Sequence, residues 1–197
     1  MTYDEAAVES ILEEMRRGHA VVVGGSRAHT TYAFRGDRWV AEAFDEGYVE
    51  DHAIDEAAVR DVIARDPDGF LPLLRAPHLR RFRAAFEVDD RPAARAALRD
   101  AGAWGDPHSH FVIWDAALAD DGEGAPAPEV IAAMADDLRG HTAWHAFWDV
   151  VGWDRTPAHA RRGLWFLDRL MAIARPDPLP PAVDSQRESF AKLVAGE

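Results

Sequence analysis

The sequence predicts an α+β fold: a small antiparallel β-meander with covering helices, followed by a mainly helical C-terminal half. Three observations lead there. Short runs rich in Val, Thr, Tyr, Phe and Trp, separated by glycine-bearing turns, occupy the stretch before Ile54. Beyond it, most apolar residues recur at helical spacing. Six of the seven tryptophans lie at or beyond Trp104, which assigns the larger core to the second half.

Taken in order, residues 4–17 read as an amphipathic helix. Val8, Ile11, Leu12 and Met15 form its apolar stripe, acids crowd its first turns, and Arg16, Arg17 and Gly18 close it. "HAVVVGG" predicts a strand ending in a turn at Gly24-Gly25, and "TTYAFRGDRWVAEAF" predicts two strands joined around Arg35 to Arg38. Gly47 to Ile54 adds a further strand to the meander, and Asp55 caps a helix through about Arg65. One face of such a meander needs cover, which the first helix supplies.

From Pro67 to Ala103 the sequence predicts short helices punctuated by Pro72, Pro77 and Pro92, the last in the first turn of a helix capped by Asp90. "HFVIWDAAL" is too short for periodicity to choose between strand and helix. "ADDGEGAPAP" is a loop. Glu129 to about Trp153 reads as helix interrupted near Gly140, and Pro157 to Ala174 as a central, buried helix. "RPDPLPP" is an extended connector, and the last ten or so residues form a short helix through Phe190 and Leu193. The expected organisation is one lobe at 1–66 and a mainly helical lobe at 67–197 sharing the core, with a loop at 119–128.

Composition narrows the function. With 48% hydrophobic and 29% charged residues the chain is globular in character. It has no cysteine, which excludes disulfides, thiol catalysis and thiolate metal sites. A net charge of −13 repels phosphate backbones, so nucleic acid is not the expected partner. All basic residues except Lys192 are arginine, which reads as compositional bias and removes arginine counting as a functional signal. Neither a signal peptide nor an apolar run of membrane-spanning length is found, and a cytoplasmic protein with no membrane partner is expected.

Two constellations carry chemistry. "DPHSH" and "HTAWH" hold four of the nine histidines. His141 and His145 are spaced i,i+4, so on a helix they share a face, and Asp149 continues the row. His108 and His110, with Asp106 before them, point one way in an extended segment. Together they are nitrogen and oxygen ligands suited to zinc, iron, nickel or manganese. The pattern lacks the internal Glu of His-Glu-x-x-His, and the aromatic stripe of Trp144, Phe147 and Trp148 offers a packing explanation for both helix histidines.

The second constellation is "AFDEGYVEDH". Asp45, Glu46, Glu50 and Asp51 fall within seven residues, without the spacing of a calcium loop. Tyr48, with Trp39 on the neighbouring strand, would supply aromatic anchors, and the acids would steer a basic partner. Three functional readings follow. The first is an acidic protein-binding module, for instance an inhibitor or immunity-type protein for a basic partner. The second is a metal-dependent hydrolase or oxidoreductase using the His-rich site. The third is a structural subunit without catalysis; a homo-oligomer is compatible with each reading.

Overall fold

In a computed structural model the described residues are 2–104, 110–139, 156–176, 178 and 180–196. The chain divides into two units, Met1–Pro77 and His78–Glu197.

The first unit begins with α1, Glu5–Arg16, whose first turn is closed by Asp4 accepting a hydrogen bond from the Ala7 amide at 2.8 Å. Ala7, Ile11, Leu12 and Met15 are buried along one side of it. Four strands follow: β1 (Val21–Gly24), β2 (Ala28–Arg35), β3 (Arg38–Asp45) and β4 (Tyr48–Ile54). They form one antiparallel sheet in sequential order, the expected meander. α1 packs against β2. Asp55 then caps α2, Glu56–Arg65, by accepting from the Ala58 amide at 2.8 Å. Arg60 of α2 reaches Glu5 at 2.8 Å and also Glu9, both on α1, so a three-carboxylate cluster including its own-helix neighbour Glu56 fixes the two helices side by side.

The expectation of short helices around Pro72 and Pro77 is corrected. One helix, α3, runs through both prolines from Pro67 to Glu87. Each interior proline removes a backbone hydrogen bond and crowds the carbonyl four residues back, at about 3 kcal/mol. Against that, α3 buries Phe70, Leu73, Leu74, Phe82 and Phe86, and each such side chain contributes about 1.5–3 kcal/mol. Burial outweighs the local breakers. The division between the units falls within this helix, at Pro77 and His78.

In the second unit α4 spans Arg91–Gly102, with Asp90 as its cap and Pro92 in its first turn as expected. "HFVIWDAAL" is helical: α5 runs His110–Leu118 and buries Phe111, Ile113, Trp114, Ala117 and Leu118. α6 spans Pro128–Arg139, and the helix expected to continue to Trp153 passes outside the described residues there. α7 covers Pro157–Ala174, capped by Thr156, and α8 covers Pro181–Ala195, longer than the short terminal helix the sequence suggests. The core centres on Trp114, stacked on Phe166 of α7 with ring centres 4.0 Å apart and met edge-on by Phe82 and Phe86.

Candidate functional site

β4 is an edge strand. Among the described residues it pairs with β3 alone, from Asp45↔Tyr48 to Trp39↔Ile54. Every residue from Tyr48 to Ala53 is exposed, and only Ile54 is partly covered. A half-buried strand would alternate; this one is open on both faces, so its outer row of N–H and C=O groups faces solvent. Two of the most exposed large hydrophobic side chains sit here, Tyr48 at 84% and Val49 at 60% exposure.

The turn that starts β4 brings the acids together. Glu46 and Gly47 both take positive φ, +44° and +100°, giving a two-residue hairpin turn between Asp45 and Tyr48. Register places Tyr48, Glu50 and His52 on one face of the sheet with Asp45, and Val49 and Asp51 on the other with Phe44 and Glu42. Among the described residues Glu42 is engaged by Arg35 at 3.1 Å and Glu50 lies 3.6 Å from His52, whereas Asp45, Glu46 and Asp51 make no ion pair. Five of the six residues expected at a binding surface therefore share one exposed hairpin: Asp45, Glu46, Tyr48, Glu50 and Asp51.

Trp39 is the exception. It is 6% exposed, edge-on to Phe34 with ring centres 4.9 Å apart and covered by the Arg16 guanidinium 5.6 Å from its ring centre. It is therefore a core residue of the first unit and not a surface anchor.

Of the expected metal ligands, Asp106, His108, His141, His145 and Asp149 lie outside the described residues; His110 is described, at the first position of α5 and partly buried. Among the described residues no group of three or more His, Asp or Glu side chains is placed to hold a metal ion. The chemistry near His110 has a second feature. Asp137 of α6 is buried, and its Oδ2 has no hydrogen-bond partner among the described residues. Burial pushes its carboxyl above the ordinary carboxylate value, with the charge of His110 pulling it down and that of Asp136 pushing it further up.

A cavity of about 580 Å³ opens between α5, the loop after it, α6 and α7. Ala116, Ile131, Ala172 and Ile173 give it an apolar wall, and Arg169 and Arg175 border it. All three nitrogens of Arg169 are engaged: it donates to the Ala117 carbonyl at 3.1 Å and the Ala119 carbonyl at 2.7 Å, and pairs with Asp121 at 2.8 Å. These bonds hold the loop against α7. Sequence reasoning missed this cavity because arginines were set aside as compositional bias and "RPDPLPP" reads only as a connector.

No helix among the described residues is long and apolar enough to cross a membrane. Compared with protein-family models, curated proteins and solved structures, the chain finds no match.

Proposed function

We propose that the protein is a binding module that takes a basic, extended segment of a partner protein as an added strand on β4. The observation that carries this is the exposure of β4 along Tyr48 to Ala53, with an outer edge unpaired among the described residues and acids on both of its faces. Strand addition draws affinity from main-chain hydrogen bonds and specificity from alternate side chains. Tyr48 offers the large, low-entropy contact typical of binding hot spots. Asp45, Glu46, Glu50 and Asp51 attract a basic strand and raise its rate of encounter, within an overall charge of −13.

The same charges disfavour the other occupant of an open edge, a second copy. Two β4 strands paired antiparallel about Asp51 set one Asp51 opposite the other, and the adjacent register sets Glu50 opposite Asp51; like charges directly opposite are destabilising. A basic partner turns that repulsion into attraction. An inhibitor or immunity-type protein acting on a basic nuclease or toxin is the biological role that fits this chemistry.

Amide hydrogen exchange on the full chain tests the reading, with a synthetic peptide alternating Lys and Val as probe and its Glu-Val counterpart as control. The Lys-Val peptide should protect β4 amides between Tyr48 and Ile54, and the double variant Glu50→Lys/Asp51→Lys should abolish that protection. Protection confined to other elements, or equal protection by the acidic peptide, would sink it.

A further inference from the structure

We propose that the cavity beside Arg175 binds a small carboxylic acid with an apolar body. This site involves the second unit alone and does not depend on the β4 reading. At about 580 Å³ the cavity falls within the range of small-molecule sites, roughly 300–1,000 Å³. Its apolar wall suits a hydrocarbon chain or ring.

The head group is specified by Arg175. Its Nε donates to the Ala172 carbonyl at 3.3 Å, and its two terminal nitrogens have no partner among the described residues. A guanidinium with both terminal nitrogens available presents a planar fork that matches a carboxylate in two parallel hydrogen bonds. Arg169, by contrast, engages each of its three nitrogens with α5 and the loop and serves as the frame of the site. Asp120 also borders the cavity, so the head of a bound acid is repelled by Asp120 and attracted by Arg175.

The backbone supplies an independent observation. Arg175 caps α7 in the left-handed conformation, φ +44° and ψ +53°, where glycine is the usual residue. Pro176 follows and further disfavours helical backbone at the residue before it. Strain of this kind persists where a side chain is needed in place, as at ligand sites. A merely structural arginine, held by the negative end of the helix, would make the glycine variant less stable.

Titration calorimetry of the full chain with octanoate, and with octylammonium as the same body bearing the opposite head, decides the matter. Octanoate should bind saturably at one per chain and octylammonium should not. Arg175→Gly should melt at a higher temperature than the wild type yet bind octanoate at least tenfold more weakly, and Asp120→Asn should bind it more tightly. Absence of saturable octanoate binding, equal binding of octylammonium, unchanged affinity in Arg175→Gly, or a lower melting temperature for that variant would each overturn the proposal.

Discussion

Gly163 of α7 lies against the ring of Phe190 of α8: a Cβ built on Gly163 would clash with Cε1 and Cζ of that ring. Phe190 is fully buried, and α7 and α8 pack together at this point. Gly163→Ala would gain about 1 kcal/mol of helix propensity. It would also force the ring or the helix to move, and overpacking of this kind costs about 1–3 kcal/mol. The expected net effect is destabilisation, read as a lower urea midpoint. A midpoint at or above that of the wild type would show that α8 can shift without loss.

That contact also marks a limit of sequence reading. The meander, the caps at Asp55 and Asp90 and the first-turn Pro92 are encoded by neighbours in the chain, where turn and cap chemistry is local, and they are found where the sequence places them. Pro72 and Pro77 mislead because their cost is local while the burial of Phe70 and Phe82 that offsets it is not. Trp39 misleads in the same way: its place in the strand alternation is readable, but which face α1 would cover is not. The exposed acids Asp45 to Asp51 were legible as a group. Arg175 was not, since nothing in its residue type announces a left-handed backbone beside a cavity.

Glu46 occupies a position that favours Asn or Gly. With φ of +44° in a two-residue hairpin turn, its side chain crowds the backbone at about 1–2 kcal/mol relative to a residue that tolerates this conformation. Glu46→Asn should therefore stabilise the first unit by about 1 kcal/mol. Denaturant melts measure this, and a variant no more stable than the parent would mean that the turn is not under strain.

Asp137 weakens the second unit at neutral pH. Its folded-state carboxyl titrates above the ordinary value, chiefly through burial, so the folded state holds a proton that the unfolded state releases as pH rises. The resulting penalty grows as pH climbs through and above the usual carboxylate range, and is absent in acid. Asp137→Asn should raise the melting temperature at pH 7, and the gain should shrink toward pH 4. A gain independent of pH would assign the effect to packing instead of ionisation.

His78 predicts a slope of the opposite sense. Its Nδ1 accepts a hydrogen bond from Arg81 at 2.6 Å, which requires that nitrogen to be unprotonated. Burial and the Arg81 charge hold the imidazole below its ordinary value, and the Asp100 carboxylate, 3.8 Å away, pulls the other way. The unfolded chain takes up a proton near pH 6.5, whereas the folded chain resists it. Stability is thus retained above that pH and lost as pH falls below it. His78→Gln should lose less stability than the wild type between pH 7 and pH 5, measured by denaturant unfolding at each pH. Parallel pH profiles for the two proteins would remove His78 as a cause.

The open edge of β4 should become self-adhesive once its charges are removed. Backbone groups on an unpaired edge pair readily with another strand, and charged side chains are one of the means by which such edges are kept apart. Glu50 and Asp51 occupy opposite faces of β4, and in antiparallel pairings centred on either residue or between the two, acids stand opposite one another across the new pairing. Replacing both with strand-favouring neutral residues, Glu50→Thr/Asp51→Val, leaves the exposed Tyr48 and Val49 to reward association without that repulsion. Sedimentation velocity over a wide concentration range should show the variant associating at concentrations where the wild type does not, and amide exchange should slow along β4 as association proceeds. Sedimentation coefficients that track those of the wild type at every concentration would mean that Glu50 and Asp51 do not guard this edge.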